Sequence, residues 1–285
     1  MKNIAIVLIS LFVISCKSDR TNQDTVLSDK VQTVKQSKAL DRNKIRQEGI
    51  QAAKREQLLS EKDDKVALEN LIDTKTFYKK EDSYVLNYKY PYLNEEIKSS
   101  YRIFNEYMQD RYIEIETSVN DILKNNSLSC DPSVVDVHRY KRIIDYKVYN
   151  KKEHLISILL YKANHYSDKN HHSYMFKCLN FDLNNTVFLD YQSIFKEKSE
   201  AEMLSIINQK LTEKIIKKNS YKDCWVLSED SFDEHKNNFV ITEKMIKFYF
   251  DDCVICPSYA GRYAVEVPLD QIAHLLQENN KELVL

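Results

Sequence analysis

The sequence predicts an α+β domain: an antiparallel sheet with a long N-terminal amphipathic helix and two further helices packed on it. Three observations carry this. Apolar residues alternate with polar ones in several short runs, the period of a half-buried strand. From Ile97 to Ile122 they recur instead at steps of three and four, the period of a helix. The runs follow one another as strand, helix, four strands, helix, two strands, helix, an order that sets helices against an antiparallel sheet.

The chain starts Met1-Lys2-Asn3, a short positive head, and Ile4 to Ile14 is an apolar run. That run is too short for a bilayer span of about 20 residues and fits the core of a secretion signal. It ends at Val13-Ile14-Ser15-Cys16, which resembles the lipobox of bacterial lipoproteins. By that resemblance residues 1–15 are a signal peptide, and Cys16 carries the lipid that becomes the N-terminal anchor. Two or three acyl chains hold stably where one would not. The expected location is the cell membrane or outer membrane, facing the periplasm or the cell surface, where disulfides are permitted.

Residues 16–72 read as a charged, flexible tether. Every aromatic side chain except Phe12 lies at or beyond Phe77, and a segment so poor in large apolar groups cannot offset its ordering entropy. Such a tether of about 55 residues reaches ~40 Å. The folded domain is expected at 73–285, with an N-terminal half at about 77–165 and a C-terminal half at about 166–285. A net charge of −1 argues against nucleic acid as a partner, since binding it requires a basic surface.

Within the domain, Tyr84, Leu86, Tyr88 and Tyr90 alternate until Pro91. Asn94 can cap the long helix, with Glu95 and Glu96 complementing its dipole. Ile97, Tyr101, Phe104, Met108, Tyr112, Ile115, Val119 and Ile122 form its stripe, and Asn125-Asn126-Ser127 stops it. Ile144-Tyr146-Val148 and Leu155 to Tyr161 make a hairpin around Asn150-Lys151-Lys152-Glu153. Tyr174 to Leu183 is a strand, and Asn184-Asn185 can take positive φ before Thr186 to Leu189. Ser199 with Glu202 reads as a capping box for a helix burying Leu204, Ile207, Leu211 and Ile215. Met245 to Phe250 and Tyr263 to Val267 are strands, and Pro268 opens a last helix with Leu269, Ile272 and Leu276 inward.

Three stretches then carry a resemblance: Asn180-Phe181-Asp182-Leu183 with Val187-Phe188-Leu189-Asp190, Ile246-Lys247-Phe248-Tyr249-Phe250 leading into Val254 to Gly261, and Val265-Glu266-Val267-Pro268. Together they resemble the extracellular domain of the anti-sigma factor RsiV. That type is still called a domain of unknown function, and it also occurs on peptidoglycan deacetylases and in bacterial lipoproteins. Tyr88-Lys89-Tyr90-Pro91-Tyr92-Leu93 looks like the half that accompanies it. The resemblance implies an α+β fold and a binding role, lysozyme being the RsiV partner. The family's Gly-Gly-Ala-His-type loop reads Asp168-Lys169-Asn170-His171-His172-Ser173 here, and only His172 matches.

Catalytic chemistry finds little support. His165, Asp168, His171 and His172 suggest a metal, but adjacent residues of an extended segment point to opposite faces. Neither metal nor cofactor is expected. Cys253 and Cys256 have redox spacing without the helix N-terminus that lowers a thiol pKa. Cys130, Cys178, Cys224, Cys253 and Cys256 are an odd set after Cys16, and their pairing stays open. Deacetylases carry their metal in a separate catalytic domain, for which 285 residues leave no room. Serine elbows and phosphate loops need glycines that the folded region lacks. The expected function is therefore a non-catalytic, membrane-anchored envelope protein that binds a lysozyme-like protein or a peptidoglycan glycan. The alternative is an envelope peptidoglycan-modifying hydrolase or a deacetylase-associated enzyme. The expected contact rim is loops 165–174 and 251–262, with Tyr166, His172, Tyr174, Tyr259 and Arg262 as ligand-binding candidates, since loops on a rigid sheet carry function most often.

The lipid anchor is directly testable. Cys16→Ser should abolish incorporation of a fatty-acid analogue in cells. Equal labelling of variant and wild type would show that Cys16 is not the acylated residue.

Overall fold

The structure, a computed structural model, describes residues 45–127, 140–151, 154–165 and 172–285. The expected leader, Cys16, Cys130, Tyr166 and His171 lie outside the described residues. A six-stranded sheet runs β1 (Ile72–Lys80), β2 (Tyr84–Leu93), β3 (Tyr140–Lys151), β4 (Leu155–His165), β5 (His172–Asp182) and β6 (Val187–Leu189) in spatial order. A second, three-stranded sheet is β7 (Phe239–Ile241), β8 (Met245–Tyr249) and β9 (Ala264–Pro268). The α+β class holds, but the larger sheet is mixed: β2 and β3 are parallel, with Tyr84 opposite Tyr140. A helical connection separates these two strands, and a crossover of that length lets the second return parallel.

That connection is not one long helix. Ser99–Tyr101 is a 3₁₀ turn, α2 spans Arg102–Tyr107, Met108–Ile113 is a π turn, and α3 spans Ile115–Ser127. Glu114, at φ 36°, separates the last two. The stripe survives by changing step. Tyr101, Phe104 and Met108 are buried, and then Ile113, five residues on, as the i→i+5 bonding of a π turn requires. Tyr112 and Ile115 are half-buried on the same cluster.

Alternation along the strands builds three apolar layers. Ile144, Tyr146, Val148, Ile156, Ile158, Leu160, Leu179 and Phe181 face α2 and the π turn. The opposite face of the same strands, Tyr149, Leu159, Tyr161, Tyr174 and Phe176, packs on Val240 and Tyr249 of the small sheet. The far side of that sheet, Phe239, Ile241, Ile246, Phe248, Val265 and Val267, receives Met203, Ile207 and Leu211 of α5 (Glu200–Lys217). Leu204 and Ile215 lie beside this core, partly buried. The order is thus helices, sheet, sheet, helices.

Several local expectations shift. Ser199 makes no cap hydrogen bond; its hydroxyl lies 3.1 Å from that of Tyr191. A capping box forms instead at α4 (Tyr191–Ile194), where Asp190 and Ser193 cap reciprocally. The left-handed residue after β5 is Thr186 (φ 54°), because Asp182 accepts from the backbone N–H of Asn184 and Asn185 and holds them in the turn. Helix α6 (Glu229–His235) and α7 (Leu269–Ile272) complete the far layer, with Leu269, Ile272 and Leu276 buried as expected.

The tether reading does not hold for residues 47–72. Residues 47–60 are helical (α1). Leu58 is buried against Tyr149 and Tyr249, and the amide of Asp64 donates to Val148 O at 2.8 Å. Leu68 and Ile72 join the core beneath α2. The apolar anchors are too sparse for a periodic stripe, and the contacts are made with strands far along the chain. Leu58→Ala should lower the unfolding free energy by about 2 kcal/mol or more in denaturant titration. Limited trypsinolysis of the wild-type chain should leave a core that still contains α1. A stable core beginning between Glu61 and Thr76 would restore the tether.

Candidate functional site

Strand β5 pairs with β6 only from Asn180 to Asp182. Upstream, the N–H groups of Tyr174, Phe176 and Cys178 donate to side chains: Asp252 Oδ2 (2.8 Å), Asp251 Oδ1 (2.7 Å) and Asn238 Oδ1 (2.7 Å). Tyr174 O in turn accepts from the Asp252 amide at 3.2 Å. The segments expected to form one rim therefore do adjoin at Tyr174 and Asp252. Burial pushes the Asp251 carboxyl above its usual range, against the Phe176 N–H bond and the nearby His235, both of which favour the charge; Asp252 pushes it further up.

The loop after β8 is closed by a disulfide between Cys224 and Cys256. Cys253 and Cys178 are free thiols, the first exposed and the second buried, so the Cys253/Cys256 spacing is not the pairing. Gly261 is required here. Its φ is +63°, and a Cβ would stand 2.2 Å from Cys256 Sγ. Trp225 braces the same loop through Nε1–H to Val254 O at 2.8 Å.

The five candidate contact residues are not brought together on one open surface. Tyr166 is outside the described residues, and His172 opens β5 with an undescribed side chain. Tyr174 must be corrected: it is buried, with its ring 5.3 Å from that of Tyr263, so it belongs to the core between the sheets and offers no surface. Tyr259 is half-buried against the α5 core. Arg262 is exposed and lines a cleft of about 320 Å³.

That cleft lies between α1, α5 and the β8–β9 ladder. Its walls include Lys54, Glu61, Lys214, Lys247, Tyr263 and Glu266 besides Arg262. Lys247 and Glu266 are register partners across the ladder and lie 3.3 Å apart; Lys247 also binds Glu61. Lys54 is buried, paired with Asp252 at 3.5 Å and 4.0 Å above the Tyr263 ring. Burial lowers its pKa, and Asp252 opposes the shift. Among the described residues, Lys214 and Arg262 have no carboxylate within 4.0 Å. Lys214 is held below the ordinary lysine range first by burial, which the Glu266 charge opposes and Arg262, Lys218 and Lys210 reinforce. The phenol oxygen of Tyr263 is buried without a hydrogen-bond partner among the described residues, a state that calls for a reason in a folded protein.

Reasoning from sequence missed Lys54, Lys214 and Lys247. Lys210, Lys214 and Lys218 do share one helix face at steps of four. Nothing local separates that face from an ordinary solvated one.

Residues 192–270 match the family described as "Protein of unknown function (DUF3298)". The matched stretch runs from α4 into α7 and includes Lys214, Lys247, Arg262 and Glu266. Two crystal structures are similar to the chain. One is a DUF3298-family member from Bacteroides fragilis NCTC 9343, 16% identical with a TM-score of 0.48, covering 73% of this chain and 95% of that one. The other is a DUF3298-family protein from Pseudomonas aeruginosa PAO1, 13% identical with a TM-score of 0.49 and the same coverages. No curated protein matches the chain.

Asp251 generates a prediction with a defined sign. Its folded pKa is raised, so in the window above the ordinary value the folded chain holds a proton that the unfolded chain has released. Stability from this group is therefore lost as pH rises through that window. Asp251→Asn keeps an acceptor for Phe176 N–H and removes the charge. The variant's stability relative to wild type should grow as pH rises above the ordinary aspartate pKa and level off once Asp251 is ionised in both states, as read by urea denaturation. A constant difference across that range would show that Asp251 does not titrate in this way.

Proposed function

We propose that the chain is a non-catalytic binding protein of the bacterial cell envelope, anchored through lipid on Cys16, and that its ligand is a peptidoglycan glycan. The observation that carries the reading is the cleft beside Arg262, where rigid sheet and helix walls leave cationic side chains open to a ligand. Binding sites are typically concave and pre-formed, with a small number of oriented polar groups. The cleft carboxylates Glu61 and Glu266 are both held by Lys247. Both cleft carboxylates are thus engaged within the fold, which favours binding over hydrolysis. The likeness to the RsiV domain supports a binding role, and a lysozyme-like protein is the competing ligand.

Co-sedimentation tests this. The mature chain, solubilised in detergent, should pellet with purified peptidoglycan sacculi in a saturable manner and should release no soluble muropeptides. Capture on immobilised lysozyme without retention on sacculi would move the ligand to the protein class. Muropeptide release would establish the hydrolase alternative, and failure to bind either would overturn the binding reading.

A further inference from the structure

The cleft has a charge imbalance that the fold does not use. Its four cations, Lys54, Lys214, Lys247 and Arg262, face two carboxylates, Glu61 and Glu266. Lys247 engages both carboxylates, and Lys54 is satisfied by Asp252. Lys214 and Arg262 remain. They come from different elements, α5 and the loop before β9, and line the same cleft, where the charge of Arg262 acts on Lys214 after the attraction of Glu266. Two like charges held together by independent walls cost free energy unless an anion sits between them.

We infer that Lys214 and Arg262 form an oxyanion-binding subsite that takes a carboxylate or phosphate group of the ligand. This rests on the reading of the domain as a binding module and names the chemistry of that site. The two side chains divide the work. Arg262 presents a planar fork suited to bidentate contact with two oxygens of one group. Lys214 supplies a compact charge from partial burial, where water screens it less. Lys214 lies 5.6 Å from the Tyr221 ring centroid, which favours keeping its ammonium on this side of α5. The remaining salt bridges frame the subsite. Glu61 and Glu266 are both engaged by Lys247, which offsets their repulsion of an entering anion.

Isothermal titration of the full mature chain in detergent tests the inference at about 0.02 M and about 0.3 M salt. The probes are inorganic pyrophosphate as the phosphate source, muramyl dipeptide as the carboxylate source, and uncharged chitotetraose. At least one oxyanion should bind more tightly than chitotetraose and weaken at the higher salt, and the tighter of the two identifies the source. Lys214→Met and Arg262→Gln should each weaken it about tenfold or more with a melting temperature no lower than that of wild type. Lys214→Arg, which keeps the charge, should stay near wild type. Lys210→Met, on the same helix face but outside the cleft, should have little effect. The inference is overturned if neither oxyanion binds at low salt, if the cleft variants bind like wild type, or if Lys210→Met weakens binding as much as Lys214→Met. Sacculus co-sedimentation separates the two levels. Retention that is unchanged in the Lys214→Met/Arg262→Gln double variant removes the oxyanion subsite and leaves the binding reading standing. Loss of retention in wild type removes the reading itself.

Discussion

Among the described residues no strand lies beside the outer edge of β5 between His172 and Leu179, and three side chains stand in for one. Alternate residues of a strand turn their N–H groups to the same edge. Those of Tyr174, Phe176 and Cys178 therefore form a row that needs acceptors. Asp252, Asp251 and Asn238 provide them in sequence. Asn238 also donates to Phe176 O at 3.3 Å and to Tyr249 O at 3.0 Å, so one amide joins the large sheet to the small one. Deeper in the seam, Ser157 donates to Asn180 Oδ1 at 2.5 Å, Asn180 donates to Phe239 O at 3.0 Å, and Ile241 N donates back to Ser157 Oγ at 3.0 Å. An unsatisfied buried polar group costs about 1–3 kcal/mol. A slip of one sheet over the other would leave several of these groups unsatisfied, so the polar seam sets the register that apolar packing alone would leave loose.

The same edge positions the cleft. Asp252 uses one carboxylate oxygen on Tyr174 N–H and the other on Lys54, so α1 is docked to the loop that caps β5. Leu58 adds apolar area on Tyr149 and Tyr249. The Cys224–Cys256 disulfide and Gly261 then hold the following loop tightly enough that Arg262 leaves it at the mouth of the cleft. A loop closed by about 32 residues is worth ~3–4 kcal/mol in chain entropy. Arg262 thus projects from a rigid base, which lowers the cost of ordering it on a ligand.

Much of this fold can be read in the sequence where one residue period dominates. Ile144 to Val148, Leu155 to Tyr161 and Tyr174 to Leu183 are legible as strands because each sends alternate side chains into a separate apolar layer. The Met203–Ile207–Leu211 face of α5 is legible for the parallel reason at a helical period. Strand β1 is not: it is an edge strand, largely exposed, with Lys75, Lys79 and Lys80 on it, a composition that blocks edge pairing and hides the alternation. Strand β7 is three buried residues, Phe-Val-Ile, too few to show any period. The π turn preserves an apolar stripe while changing its step, so the stripe reads as one continuous helix. The motif Asn180-Phe181-Asp182-Leu183 was legible as a motif but not in its purpose, since the partners of Asn180 lie 23 and 59 residues away. Of the contact candidates, Arg262 could be found because Gly261 and Pro257 flag a turn. Tyr174 reads as a contact residue because a tyrosine beside a loop and one between two sheets look alike in one dimension.

Lys54 and Lys214 show why the candidate site itself was hidden. Both are lysines on helices with lowered pKa, and burial is the first cause in each. Their local sequences give no means of ranking them. The difference lies in what faces them. Lys54 meets Asp252 and an aromatic ring, so its desolvation is offset within the chain, and removing it would strand a buried carboxylate, a loss of about 3–5 kcal/mol by analogy with other buried pairs. Lys214 meets the charges of Glu266, Arg262, Lys218 and Lys210, and Glu266 is itself paired with Lys247 at 3.3 Å. Its desolvation is not offset by any ion pair among the described residues. A charge that is buried and answered is part of the scaffold. One that is half-buried, without an ion pair among the described residues and on the same cleft as a second such cation keeps charge that a ligand can take up. That contrast, rather than the number of cations, is what sets the Lys214–Arg262 side of the cleft apart from the rest of a surface that is rich in lysine.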